Sequence, residues 1–107
     1  MSHPSSAAAL TEVILCLGCN TPESESRIHE AVEFLRQFAA PETLIATPVY
    51  HCDNSSYGNA LVLFSTPLSI PELTIRTKDY ESRCGRTPES KRRGIIEMDI
   101  DLVIANG

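Results

Sequence analysis

In the first half of the chain, the apolar residues change from a continuous run to a helical spacing. Residues 13–17 are apolar and the run stops at Gly18, which predicts a short buried strand. Thr21 and Pro22 follow, and a Thr-Pro pair favours a helix N-cap with proline at the first helical position. A helix is predicted from there to Pro41, because apolar residues recur every three or four positions. These residues are Ile28, Ala31, Val32, Leu35 and Phe38.

The second half of the chain alternates between strand-like and helical patterns. Residues 44–51 are strand-like but contain Pro48, which places this strand at an edge or a bulge of a sheet. Residues 59–66 predict a second, strong strand. Ser69 and Glu72 have the spacing of a capping box, which predicts that a helix begins here. Its predicted inner face carries Leu73, Thr77, Tyr80 and Cys84.

The last apolar segment, residues 94–104, carries two aspartates inside a strand-like sequence. Because successive side chains of a strand point to opposite faces, Asp99, Asp101 and Val103 are predicted to share one face. The opposite face, predicted to pack on the helices, carries Met98, Ile100, Leu102 and Ile104. The two carboxylates lie about 7 Å apart along the strand and could hold a divalent cation between them. An ordinary solvent-exposed strand face would explain the same pattern.

The predicted order of elements is β-α-β-β-α-β, which is typical of a ferredoxin-like α+β sandwich. This fold has a four-stranded antiparallel sheet with both helices on one face, and its other face is open. In the usual strand order, 4-1-3-2, the end of strand 1 and the starts of strands 3 and 4 meet at one edge. Tyr57, Asn59 and Asp99 are therefore predicted to converge there. The end of the second helix, with Glu81 and the basic loop 86–94, is predicted near the same edge.

The overall composition restricts the class of protein and its partners. With 107 residues, 42% hydrophobic and 21% charged, the chain predicts one globular domain (residues 12–107) after a disordered leader (residues 1–11). A net charge of -5 favours neither nucleic acid nor an anionic membrane as a partner. No apolar run approaches the roughly 18 residues of a spanning helix. The N-terminus lacks the pattern of a signal peptide, so a cytoplasmic location is predicted.

The four cysteines raise the question of a metal or redox site. Cys16 and Cys19 have the C-x-x-C spacing of such sites. Cys52 and Cys84, however, are far apart and form no second close pair. Reduced thiols without zinc are predicted, with Cys16 buried and Cys19 at the strand end.

Four short motifs occur in order along the predicted domain. They are Leu-Gly-Cys-Asn at residues 17–20, Tyr-Gly-Asn-Ala at 57–60, a Glu-to-Gly-Arg segment at 81–86 and Asp-Ile-Asp at 99–101. This set resembles the hydroxymethyldihydropterin pyrophosphokinases of folate biosynthesis. That family shows L-G-S-N, Y-x-N-A, E-x-x-x-G-R and D-[LI]-D in the corresponding places.

The resemblance implies transfer of pyrophosphate from ATP to the hydroxymethyl group of a reduced pterin, with two magnesium ions. Asp99 and Asp101 would be the magnesium ligands. With Arg86, which would hold a phosphate, they would form the catalytic group. Asn59 would hydrogen-bond the pterin edge, and Tyr57 would help to enclose the ring. The implied nucleotide-binding residues are Glu81, Arg86, Arg92 and Arg93.

The sequence differs from the family pattern in three places. Cys52 and Asp53 replace a Thr-Pro pair that lines the family's pterin site. Residues 93–96 replace a Trp-Gly-Pro-Arg loop, so that Arg92 or Arg93 would supply the missing positive charge. The family also continues beyond the last strand, and a short form without that C-terminal segment is expected here. From these differences we expect weak pterin binding.

A second hypothesis is that the chain has this fold but no catalytic activity. A non-catalytic relative would bind a nucleotide, a pterin or a protein partner. The edge strand at residues 44–51 and the open sheet face also make a homodimer an expectation. The two aspartates in an apolar strand favour the enzyme, whereas the altered loop favours the non-catalytic relative.

Overall fold

The computed structural model of the chain describes residues 9–51, 57–85 and 87–106. Within these ranges, strands and helices form a mixed α+β domain, and this predicted class is confirmed. The strands are β1 (Thr11–Cys19), β2 (Ile45–Ala46), β3 (Tyr50–His51), β4 (Gly58–Thr66) and β5 (Asp99–Asn106). The helices are α1 (Ser24–Arg36), α2 (Ile70–Arg83) and α3 (Pro88–Arg92).

The described strands form one antiparallel sheet with β1 at its centre. β4 pairs with one side of β1 and β5 with the other, while β2 and β3 both pair with the outer edge of β4. β2 and β3 divide what the sequence predicted as one strand, because Pro48 has no N–H to donate to the ladder. Thr47 spans this interruption. Its N–H donates to the Leu61 carbonyl at 2.9 Å, and its hydroxyl accepts the Leu61 N–H at 2.9 Å.

The core lies between one face of the sheet and the helices α1 and α2. Alternate side chains of β1 and β4 are buried there, and the intervening side chains face the opposite, open side. Fully burying one such apolar side chain contributes about 1.5–3 kcal/mol. The main buried residues are Val13, Leu15, Leu17, Ala60, Val62, Phe64, Ile28, Ala31, Leu35, Leu73, Met98 and Ile100.

The first helix begins later than its Thr-Pro pair predicted. The N-cap of α1 is Glu23, which makes no side-chain capping hydrogen bond, so the prediction of Thr21 as N-cap is wrong. The Thr21 carbonyl instead accepts the Ser24 N–H at 3.0 Å, and its hydroxyl lies 3.2 Å from the Cys19 thiol. A turn at Thr21 therefore precedes the helix. The helix ends before Phe38, which still packs against the core.

The other two helices both begin with reciprocal capping bonds. In α2 the predicted capping box is confirmed: Ser69 Oγ accepts the Glu72 N–H at 3.2 Å, and Glu72 Oε1 accepts the Ser69 N–H at 3.3 Å. The sequence predicted only a loop where α3 lies. There, Thr87 Oγ1 accepts the Ser90 N–H at 3.1 Å, and Ser90 Oγ accepts the Thr87 N–H at 2.9 Å. Of the four Thr-Pro pairs in the chain, only the last, Thr87–Pro88, therefore starts a helix at its proline.

The alternation predicted for β5 stops halfway along the strand. Ile100 is 2% exposed, as predicted, but Leu102 is 37% and Ile104 is 52% exposed. Leu102 is paired with the buried Leu15, so it still lies on the core side of the sheet. Beyond Leu102 the register of the β1–β5 pairing shifts, because Ile104 is paired with the preceding residue of β1, Ile14. Such a bulge reverses the faces of the residues beyond it. The predicted face is therefore right for Leu102, although this residue is exposed, and wrong for Ile104.

Several predictions concern residues outside the described ranges. Arg86, Cys52 and Asp53 lie there, and so does most of the leader predicted at residues 1–11. β1 already begins at Thr11. Within the described part of the chain, no helix has both the length and the apolar character needed to cross a membrane.

Candidate functional site

One row of paired residues crosses the open face of the sheet near the end of β1. Gly18 of β1 is paired with Asn59 of β4 on one side and with Asp99 of β5 on the other. Tyr50 of β3 is paired with Asn59. Directly paired residues of antiparallel strands project to the same face. The sheet therefore brings Asn59 and Asp99 onto one surface, separated by the width of β1.

The glycine in this row makes room for the ring of Tyr57. A Cβ atom at position 18 would lie 2.6 Å from Tyr57 Oη and 3.1 Å from Tyr57 Cζ. Any larger residue would displace the ring, and this close approach is a physical reason for glycine here. Tyr57 directly precedes β4 and is half-buried. Its ring lies over Gly18, between Asn59 and Asp99.

The two aspartates of β5 lie side by side on the open face. Burial, a hydrogen bond to the Asp99 side chain and the charge of Asp99 raise the pKa of Asp101, in that order, and the charge of Lys78 lowers it. A hydrogen bond between two carboxyl groups requires a shared proton. A cation can take the place of that proton and remove the repulsion between the two carboxylates.

The donor set suits magnesium better than zinc. No group of three or more His, Cys, Asp or Glu side chains comes together as metal ligands among the residues the structure describes. Structural and catalytic zinc sites use three or four protein ligands. Magnesium is usually held by one or two carboxylates, and water and substrate phosphates complete its shell. Asp99 and Asp101 therefore fit a magnesium–nucleotide complex.

Cys16 and Cys19 project to opposite faces of β1. Cys16 is half-buried on the open face, where it is paired with Asp101, so the prediction that it is buried is wrong. Burial and the charges of Asp101 and Asp99 raise the pKa of the Cys16 thiol. Cys19 lies at the strand end, as predicted, and its side chain is buried. Because a strand alternates its side chains, residues three apart cannot share one ligand on one face.

Asn20, the last residue of the Leu-Gly-Cys-Asn motif, holds the loop that leads into β5. Its Nδ2 donates to the Gly94 carbonyl at 2.8 Å, and its Oδ1 accepts the Ile96 N–H at 2.7 Å. Its own N–H donates to the Ile96 carbonyl at 2.9 Å. Sequence reasoning gave Asn20 no role, although its place in the motif was a signal. These bonds attach the loop to the end of β1, beside the row.

The basic residues predicted for the site are at or near α3. Arg92 ends α3 and Arg93 follows it, and both side chains are exposed. The Arg93 N–H donates to the carbonyls of Glu89 and Ser90 at 3.1 Å each, which fixes the backbone at the helix end. Phosphate binding by Arg92 or Arg93 stays a prediction. So does the role of Arg86, which lies outside the described residues.

Glu81 makes its described contacts with the backbone of β5 and with a lysine. The residue is 4% exposed, and its Oε2 accepts the Ile100 N–H at 2.6 Å. Its Oε1 lies 3.4 Å from Lys78 Nζ. Ile100 is the residue between the two aspartates. Contact between Glu81 and a nucleotide stays a prediction.

The family model for 7,8-dihydro-6-hydroxymethylpterin-pyrophosphokinase (HPPK) matches residues 14–106. The chain belongs to the HPPK family. A relative named 2-amino-4-hydroxy-6-hydroxymethyldihydropteridine pyrophosphokinase, from Bacillus subtilis (strain 168), is 31% identical over 98 residues. That match covers 86% of this chain and 58% of the relative, so the chain spans less than two thirds of the relative's length. The resemblance predicted from the four motifs is confirmed.

The HPPK match contains the whole row and both aspartates. One member of the row, Tyr50, was missed by sequence reasoning. Its side chain is 45% exposed at the outer end of the row, opposite Asn59. Its place depends on how the chain resumes pairing after Pro48, and the sequence pattern does not specify that register.

Proposed function

We propose that this HPPK-family chain transfers pyrophosphate from ATP to the hydroxymethyl group of a reduced pterin. The observation that carries the proposal is the row on the open face, in which Asn59 and Asp99 lie on either side of β1 and the Tyr57 ring lies over the Gly18 between them. One end of the row suits a flat, hydrogen-bonding ring, and the other suits a cation with phosphates. The row would thus bring both substrates of the reaction onto one surface.

At the ring end, Asn59 would read the edge of the pterin. Its amide offers one acceptor and two donor hydrogens, and the pterin edge carries complementary groups. Tyr57 would enclose the ring from its position over Gly18. An aromatic contact of this kind contributes about 0.5–1.5 kcal/mol beyond the area it buries. Tyr50, paired with Asn59, would close the outer side.

At the phosphate end, Asp99 and Asp101 would hold magnesium together with ATP, and two ions are expected for the family. When bound, magnesium would supply charge neutralisation on the attacking and leaving sides of the phosphorus. Arg86 would hold a phosphate, with Arg92 or Arg93 as further cations, since guanidinium groups form paired hydrogen bonds with phosphate oxygens.

The reaction itself requires positioning more than covalent participation by the protein. The hydroxymethyl oxygen attacks the β-phosphorus of ATP and loses its proton. The bond from that phosphorus to the oxygen shared with the α-phosphate breaks, and AMP leaves with the electron pair. Asn59 would orient the attacking group, while the carboxylates of Asp99 and Asp101 would hold the magnesium that neutralises the phosphates.

Three wider predictions accompany this proposal. The order β1-α1-β2/β3-β4-α2-β5, with β2 and β3 as halves of one strand, supports a ferredoxin-like βαββαβ sandwich. A cytoplasmic site of action and a homodimer also stay predictions.

The test is release of AMP from ATP and magnesium, measured with and without hydroxymethyldihydropterin. We expect pterin-dependent AMP from the unchanged chain and none from the double variant Asp99→Asn, Asp101→Asn. The matched control is Asp79→Asn, because Asp79 is an exposed aspartate of α2 that pairs with Arg83 at 2.7 Å. This control should keep full activity.

Two results would contradict the proposal. Pterin-dependent AMP that survives in the double variant would exclude Asp99 and Asp101 as the magnesium ligands. No AMP from the unchanged chain, together with magnesium-dependent ATP binding by calorimetry, would identify a non-catalytic nucleotide-binding member of the family.

A further inference from the structure

The carboxylate of Glu81 occupies a place where the helix pattern calls for an apolar side chain. Leu73, Thr77 and Glu81 follow one another at four-residue spacing, and they are the three buried residues of α2. Glu81 is 4% exposed, as buried as its neighbours on this stripe. A buried carboxylate is costly unless it is hydrogen-bonded. A specific contact must therefore offset its presence here.

That contact is with the backbone of β5, midway between the two aspartates. Glu81 Oε2 accepts the Ile100 N–H at 2.6 Å. A hydrogen bond to an ionised acceptor is shorter and stronger than one between neutral groups. The Ile100 side chain is itself in the core, and its partner across the sheet is Leu17. Ile100 is thus held by the sheet, by the core and by Glu81.

We propose that Glu81 is a positioning residue, which fixes the backbone at Ile100 so that Asp99 and Asp101 keep the spacing required to hold a cation. The inference rests on the proposed function for the role of the two aspartates. It assigns to Glu81 a role different from direct contact with the nucleotide. Glu81 reaches the cation only through the strand, as do the outer partners that orient metal ligands in other proteins.

Lys78 also contacts the Glu81 carboxylate, but this contact does not explain why the carboxylate is buried. Its Nζ lies 3.4 Å from Glu81 Oε1, but its side chain is 59% exposed. An ion pair with an exposed lysine contributes little to stability. The Ile100 N–H is therefore the contact that explains why the carboxylate is buried.

The test compares Glu81→Gln, which keeps an acceptor oxygen, with Glu81→Met, which keeps the length but removes the acceptor. The first readout is hydrogen exchange at the Ile100 amide, followed by NMR. We expect it to accelerate at least about tenfold in Glu81→Met, because a bond to a charged acceptor is lost. In Glu81→Gln it should stay close to the unchanged chain. Glu33→Met, at an exposed glutamate of α1, is the matched control.

The second readout is the magnesium concentration at half-maximal binding of a non-hydrolysable ATP analogue. Loss of a partner that orients metal ligands lowers metal affinity by about 10–100-fold, so the midpoint should rise at least tenfold in Glu81→Met. Glu81→Gln should recover most of this loss. A direct nucleotide contact would instead lower analogue affinity at every magnesium concentration, including saturation.

The two proposals fail in different ways. If the unchanged chain binds no magnesium–nucleotide complex, the proposed function fails, and the positioning role fails with it even where the Ile100 amide responds. If the complex binds but Glu81→Met alters neither the Ile100 amide nor the magnesium midpoint, only the positioning role is overturned. It is also overturned if Glu81→Gln is as impaired as Glu81→Met.

Discussion

At the scale of single residues, Gly18 determines whether the Tyr57 ring can lie on the open face of the sheet. It lies between the residue proposed to read the pterin and the first proposed magnesium ligand. Its missing side chain, not any group it carries, allows the Tyr57 ring to lie on the sheet. The ring end of the proposed site thus depends on a residue that has no side chain.

Gly18→Ala should weaken pterin binding while leaving the fold intact. The new Cβ would lie 2.6 Å from Tyr57 Oη, so the ring must move away from the row. One lost aromatic contact corresponds to a fall in affinity of about tenfold at most. Fluorescence titration with the pterin measures this fall, and thermal unfolding checks the fold.

Tyr57→Phe provides the control for this change. It removes the oxygen that the new Cβ would meet, so adding it to Gly18→Ala should recover part of the lost affinity. If Gly18→Ala binds the pterin as tightly as the unchanged chain, the ring end of the site is not where we place it.

At the scale of elements, α2 connects the core to the proposed metal site. Its capping box fixes where the helix begins, and the four-residue spacing then determines that position 81 faces inward. If Glu81 positions β5 as we propose, the start of this helix affects the aspartates two elements away. Stability and site geometry would then be coupled through one helix.

Ser69→Ala should destabilise the domain by about 1 kcal/mol, the usual effect of losing an N-cap side chain. The hydroxyl accepts the Glu72 N–H at 3.2 Å, and no alanine atom can replace it. Urea unfolding followed by circular dichroism measures the change. Ser82→Ala, the same substitution at an exposed position within α2, should not destabilise, and equal effects of the two would exclude a role for the cap.

Tyr80 of α2 should ionise only at high pH. Its ring stacks on Phe34 of α1, with centroids 4.2 Å apart. Burial first, then the charge of Cys84 and a hydrogen bond to it, raise the pKa of Tyr80 from 10.0 to about 12. A group with a raised pKa stabilises the fold below its unfolded pKa, and this contribution is lost as pH rises. The stability from Tyr80 should therefore disappear between pH 10 and about 12.

Absorbance at 295 nm during an alkaline titration measures this ionisation. The component near pH 12 should be missing in Tyr80→Phe and present in Tyr50→Phe. An unchanged titration curve in Tyr80→Phe would show that the stacked ring is not shielded as described.

The sequence predicted most elements because their signals are local. The apolar runs of β1 and β4 and the Ser69–Glu72 box require no knowledge of the rest of the chain. The failures involve partners: the bulge that turns Ile104 outward depends on β1, and the Thr-Pro pair at residues 21–22 precedes a helix without capping it. Likewise, the motifs indicated Asp99 and Asn59, but the burial of Glu81 depends on how α2 packs against β5.

At the scale of the whole molecule, the open face is divided into two halves. The row with Asn59 and Asp99 forms a polar half. Farther along the strands, a second row of paired residues forms an apolar half. Its members are Ile45, Leu63, Ile14 and Ile104. The bulge in β5 creates this division, because it turns Ile104 to the open side.

The end of β5 should open more readily than the rest of the sheet. Among the residues that the structure describes, β5 is paired on one side only, and its residues beyond Ile100 are exposed, whereas β1 is paired on both sides. Local opening follows the density of buried contacts. Amides of residues 102–106 should exchange with deuterium about tenfold or more faster than those of residues 13–17, by mass spectrometry or NMR. Equal protection of the two segments would contradict this.

The row across β4, β1 and β5 also acts as a molecular ruler. Neighbouring strands lie about 4.8 Å apart, so the Asn59 and Asp99 backbones are separated by about 10 Å. A ligand held by its edge at Asn59 meets the cation only if its reactive arm spans the remaining distance. This length is fixed by backbone hydrogen bonds, and side-chain substitutions cannot adjust it. A ligand with a much longer or shorter arm would therefore require a different order of strands, because side chains can adjust only their own reach.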